Sequence, residues 1–211
     1  MADRLINDKL EEWTVSKNPL AARIAVFENI RNIPYAIVSE LRDPITGPAG
    51  LLKLHKGSCI PKHFLLALMF GRLGIEVKYT THTFNWDDPV IKYPPDIRAL
   101  ARKIPLGAHL VCKAKIYGKW VLVDATWDLP LKKAGYPVNE KWDGIRDLKS
   151  AVSVIEETVH ENLKDRLAYY AAIKNTYAAS DKTAYDEFIQ KLNPWLAKLR
   201  YLRSTAFRNG S

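Results

Sequence analysis

Residues 57–74 read GSCIPKHFLLALMFGRLG, and the fold turns on this run. Apolar residues fill nearly every position from Phe64 to Leu73. A helix that is apolar all round has to be covered on all sides, so the stretch predicts a buried central helix. Ser58 is a good N-cap residue. Pro61 is tolerated in a first helical turn, where backbone N–H groups have no helical partner. The helix is therefore expected to start at Cys59 and to stop at Gly74. That start places a thiol beside unpaired N–H groups and the positive end of a helix dipole, which favours the nucleophilic thiolate. The plainer alternative is a small core residue at a tight turn, since free cysteines are often simply buried.

Outward from this helix the pattern changes. Upstream, residues up to about 43 read as helical, with Leu20, Ile24, Phe27 and Ile30 at spacings of three and four and Pro34 as the break. DPITGPAG, residues 43–50, is turn chemistry. Downstream, IEVKYTTHTF (75–84) alternates as a half-buried strand does. Residues 85–107 break into loop, short helix and loop. Trp86 and Tyr93 within them suit a lid or substrate wall, or an ordinary surface insertion. AHLVCKAKI (108–116) and KWVLVDATW (119–127) then form a hairpin about Tyr117 and Gly118. From about residue 145 the chain reads as helical, with Ile155, Val159, Leu163, Leu167 and Tyr170 in rhythm. Pro194 is expected to open a last helix carrying Trp195, Leu199 and Leu202. The resulting expectation is an α+β fold, with a core over 1–144 and a helical extension over 145–211 packed on it.

A thiol nucleophile needs a base. Of His55, His63, His82, His109 and His160, only His109 has a partner that the hairpin itself supplies. With an even-numbered turn, opposed residues on antiparallel strands have numbers with an odd total. His109 and Asp124 meet that rule, so they share a face as diagonal neighbours. The carboxylate can hold one imidazole nitrogen and leave the other for a thiol. Leu110, Cys112, Ala114, Ile116, Val121 and Val123 take the other face, which makes Cys112 a core residue. Asp128 has the same parity as Asp124 but falls beyond the strand end and ranks second. Trp127 is either a shield for the His–Asp pair or a core aromatic.

The chain has 211 residues, 47% apolar, enough for a core without staples. Two cysteines give neither a disulfide framework nor a CxxC zinc site. MADRLINDKLEEW lacks the apolar block of a signal peptide, and no run is long enough to span a membrane. The expectation is a soluble protein in a reducing cytoplasm, without a membrane partner. The net charge is +9 and the pI about 9.4. Lys and Arg are dispersed, with modest density at Lys191, Lys198, Arg200, Arg203 and Arg208. No nucleic-acid-reading motif accompanies them, so a solubilising surface is favoured over nucleic acid, and an acidic substrate stays open. His55, Cys59 and His63 are spaced four apart, as metal ligands can be. Gly57 and Ser58 argue that the helix has not begun at His55, and no acidic residue completes the set, so no metal is expected.

GSCIPKHFLLALMFGRLGIEV followed by HLVCKAKIYGKWVLVDATWD resembles the transglutaminase-like branch of the papain-type cysteine enzymes. The likeness covers roughly residues 20 to 130. It implies a Cys59–His109–Asp124 triad, with VDATW matching an Asp-x-Thr pattern, and no cofactor. It also implies attack of Cys59 on an amide or peptide carbonyl, a thioester intermediate, and water or an amine as acceptor, hydrolysis being favoured. An upstream side chain, Tyr35 or else Trp13, would help the Cys59 N–H hold the oxyanion. Leu110 departs from the aromatic residue common after the histidine. The calcium-binding features of animal transglutaminases have no counterpart. The partner so implied is a peptide or protein substrate. The alternative is a catalytically silent binding module on the same fold; oligomeric state is left open.

Overall fold

The computed structural model describes residues 2–176 and 178–201; Leu202, Arg203 and Arg208 lie outside the described residues. The fold is α+β, with helices packed on one antiparallel sheet. Two helices open the chain, α1 (Ala2–Thr14) and α2 (Pro19–Asn32). Asn18 caps α2 by accepting the Ala21 N–H, and Pro19 fits the first turn. An extended stretch and a 3-10 turn (Ser39–Arg42) lead to α3 (Gly47–Leu54). The expected turn at 43–50 is thus only half a turn. Asp43 accepts the Ile45 and Thr46 N–H groups, and Gly47 and Pro48 already belong to the helix that follows. Proline is at home in a first turn, so turn residues here announce a helix.

The buried helix is α4 (Cys59–Arg72). Phe64, Leu65, Leu66, Met69 and Phe70 are buried, while Leu68 is 38% exposed, so one stripe reaches solvent. Gly74 leaves the helix at φ 74°, a conformation glycine takes without penalty. The sheet has the order β3-β2-β1-β4, built from β1 (Val77–Phe84), β2 (Gly107–Ile116), β3 (Lys119–Val123) and β4 (Glu156–His160). Tyr117 and Gly118 both have positive φ, as a two-residue hairpin turn requires, and Ile116 pairs with Lys119.

Three more α-helices follow among the described residues, α5 (Pro95–Ala101), α6 (Leu163–Asn175) and α7 (Ala179–Tyr201). Two expectations fail here. The segment after 145 is loop and then β4, which pairs antiparallel with β1. Ile155 and Val159 are 61% and 41% exposed, so their helical spacing marks no buried face. Pro194 lies inside α7 instead of opening it; Leu192 and Leu196, fully buried on either side, hold the helix through it.

Two cores result. One joins α1, α2 and α4 to a sheet face through Phe27, Phe70, Cys112 and Val123. The other gathers Tyr35, Trp86, Trp127, Tyr136 and Phe188 under α5 and α7. Cys59, Ile60, Phe64 and Leu110 form a small cluster of their own, against which Leu163 and Tyr170 of α6 pack.

Candidate active site

β3 pairs with β2 only as far as Val123 opposite Cys112. Beyond that point the edge of β2 at residues 107–110 is free, and the start of α4 sits against it. The Leu110 backbone N–H and His109 therefore lie beside the Cys59 side chain, and both favour its thiolate. Asp124, one residue past β3, turns its carboxylate to His109, with Nε2 to Oδ2 at 2.8 Å. That leaves Nδ1 of His109 for the sulfur. Cys59, His109 and Asp124 are thus brought into one row, with relative exposures of 9%, 2% and 1%.

Asp124 is fixed from several sides. Oδ1 accepts the Thr126 N–H and hydroxyl, at 3.1 and 2.6 Å, and Oδ2 also accepts the Ala151 N–H at 2.7 Å. Thr126 stands in the Asp-x-Thr sequence; Ala151 carried no sequence signal. Burial opposes the Asp124 charge, but the His109 imidazolium and these donors outweigh it and hold the carboxyl well below the usual range. Burial likewise opposes His109, yet Asp124 and Cys59 raise it to about 10. Burial opposes the Cys59 thiolate too, and the charge and hydrogen bond of His109, with the Leu110 N–H, bring the thiol below its ordinary value. The three groups favour a thiolate–imidazolium pair beside a carboxylate.

Lys62 and His63, close after Cys59 at the start of α4, are fully buried and cannot reach a substrate. His63 Nδ1 donates to the Cys59 carbonyl at 2.9 Å, and Nε2 accepts the Ala125 N–H at 3.1 Å. This fixes a neutral tautomer, and burial lowers its pKa to about 4. Lys62 Nζ bonds the carbonyls of Arg31, Ala125 and Thr126, and burial lowers it to about 7. Both side chains tie the loop carrying Asp124 to α4. With both His63 nitrogens bonded, His55, Cys59 and His63 do not form a ligand set. No group of three or more His, Cys, Asp or Glu among the described residues is arranged for a metal. Cys112 is fully buried, bonds the His63 carbonyl at 3.5 Å, and burial pushes its thiol up.

Asp128 does not compete with Asp124. Its oxygens are taken by Arg200, at 2.7 Å each, and by the Tyr35 N–H at 2.8 Å. Ser58 occupies the N-cap position without a side-chain capping bond; it lines a cavity instead. That cavity, about 530 Å³, opens over Cys59 and His109 and is walled by Tyr35, Trp86, Trp127 and Tyr170. Tyr35 is positioned by its neighbours: Gly57 bonds across to Pro34 and Ala36, and Trp127 packs on its ring at 4.2 Å. Trp13 lies in the other core. Trp127 is both core and wall, its Nε1 donating to the Ala151 carbonyl at 2.6 Å. Trp86 and Leu106 make 85–107 a cavity wall, whereas Tyr93 packs against Phe188 and Trp195.

No helix among the described residues is long and apolar enough to cross a membrane. No family model matches the chain, and no curated protein matches it. Solved structures do. One is a "Putative Cysteine Protease from Cytophaga hutchinsonii", 18% identical, with a TM-score of 0.42 over 76% of this chain and 49% of that one. Another is a "TGase", 13% identical, with a TM-score of 0.41 over 62% of this chain and 33% of that one. The chain thus spans about half the length of the first and a third of the second.

Proposed function

We propose that this chain is a cysteine-dependent enzyme of acyl chemistry on amide or peptide bonds. Cys59 attacks the carbonyl as thiolate, and the C–N bond breaks as a thioester forms. His109, protonated at the start, gives its proton to the leaving amine. Water then attacks the thioester with His109 as base, giving an acid and the free thiol; an amine in place of water gives acyl transfer. Asp124 orients His109 and stabilises its charged form. The Cys59 N–H has no helical partner at a helix start and is one oxyanion donor; the Tyr35 hydroxyl is the candidate for the second. One observation carries this reading: Cys59 and His109 line the floor of an aromatic-walled cavity, and buried Asp124 holds His109 from behind at 2.8 Å.

Iodoacetamide near neutrality tests it. Cys59 is expected to label at least about a hundredfold faster than Cys112, whose thiol is buried and pushed up. His109→Ala should remove most of that advantage. In wild type the rate should rise through a thiol pKa below the ordinary cysteine value. Turnover of an amide substrate should fail again as His109 loses its proton near 10. Equal, slow labelling of both cysteines would leave a silent binding module.

A further inference from the structure

Every described arginine except Arg42 and Arg166 is bonded to or ion-paired with a carboxylate or a backbone carbonyl. Arg166, on α6, is 2% exposed, and its Nε has no hydrogen-bond partner among the described residues. Its guanidinium lies over the Tyr170 ring, 4.8 Å from Cζ to the centroid. A buried guanidinium without a counter-charge is costly. Tyr170 packs on the Cys59 cluster and lines the cavity, so Arg166 stands directly behind the cavity wall. Arg42 is on the wall itself. Its polar contact among the described residues is a long one, Nη2 to the Tyr185 hydroxyl at 3.4 Å.

Both guanidinia sense the sulfur. Burial works against the charge of each, and Cys59 is among the groups that favour it. Yet His109 and the Leu110 N–H already favour the thiolate. The other charged side chains on the wall are Lys174, Lys182, Asp181 and Asp186. They balance in number, and Asp181 also accepts the Ala178 N–H at 2.8 Å. The arginines are the surplus.

We infer that Arg42, reinforced by Arg166 behind Tyr170, forms an anion subsite beside Cys59 that holds a carboxylate of the acyl substrate. A guanidinium offers a planar fork of donors matched to that group. The inference rests on the acyl-chemistry reading and narrows its substrate to amides bearing a carboxylate close to the carbonyl under attack. The carboxylate is either a free chain end or an acidic side chain.

Iodoacetate and iodoacetamide decide the matter without a known substrate. In each the C–S bond forms as the C–I bond breaks and iodide leaves; only iodoacetate carries a carboxylate. Cys59 is expected to react about tenfold faster with iodoacetate at low ionic strength, saturably, with the ratio falling as salt screens the charges. Arg42→Gln should bring the ratio towards one, and Arg42→Lys should restore part of it. Arg42 is half-buried and has no ion pair among the described residues, so Arg42→Gln should fold; Arg166→Met should lower the ratio as well. A ratio near one in wild type, or unchanged in Arg42→Gln, overturns the subsite. If iodoacetamide fails to favour Cys59 over Cys112, the enzyme reading falls instead. Protection by acetyl-dialanine assigns the chain end, and protection by acetyl-glutamate amide assigns the side chain. Equal protection by the neutral acetyl-dialanine amide overturns the proposal.

Discussion

At the scale of single residues, the site depends on side chains that never meet substrate. His63 shows how. It must stay neutral to accept the Ala125 N–H, and burial gives it a pKa of about 4. In the unfolded chain an imidazole titrates near 6.5. Between those values the unfolded state binds more protons than the folded one, so stability falls as pH drops through that window. One such group contributes a slope of about 1.4 kcal/mol per pH unit. His63→Gln keeps an acceptor for Ala125 and removes the titration. Its urea midpoint should fall less steeply with acid than that of wild type, and identical slopes would mean that another group carries the acid limb. The role of His63 could not be read beforehand, because it depends on where Ala125 passes α4. His109 could be, because the parity of one hairpin tied it to Asp124.

The elements repeat that contrast. The hairpin was legible since its turn, alternation and length are all local. β4 was not: its bonds come from the edge of β1, and Ile155 and Val159 offered a misleading helical spacing. Nor was the joining role of α7. Asn193 accepts the Ile37 N–H and donates to the Ile37 carbonyl, both at 2.9 Å. Arg200 holds Asp128 through both oxygens and bonds the Tyr35 carbonyl at 2.9 Å. The helix thereby clamps the segment that carries Tyr35 to the cavity. Asp128 is 2% exposed, so Arg200→Met leaves a buried carboxylate with the Tyr35 N–H as its remaining described donor. The expected loss is about 3–5 kcal/mol in urea unfolding. Adding Asp128→Asn should recover part of it, a coupling that an independent pair would lack.

Over the whole molecule, the candidate site sits at the seam between two cores of unlike origin. The first is built largely from periodic helices and the hairpin, and its main residues could be listed from sequence. The second collects Tyr35, Trp86, Trp127, Tyr136 and Phe188 from separate stretches, so no local pattern announced it, nor the cavity it walls. This division has a measurable consequence. Phe27 packs edge-on to Trp142 at 5.6 Å in the first core, and Phe188 meets Trp86 at 5.1 Å in the second. Both phenylalanines are fully buried, and truncating either to alanine should cost about 3–5 kcal/mol. The losses should be felt in different places. Phe188→Ala unseats Trp86, a wall of the cavity, and should speed amide hydrogen exchange at residues 35–37 and 84–86 under native conditions. Phe27→Ala should speed exchange in α1 and α2 and leave those wall segments protected. Equal, uniform acceleration in both variants would show one cooperative unit, and the seam would then be a feature of packing without energetic meaning.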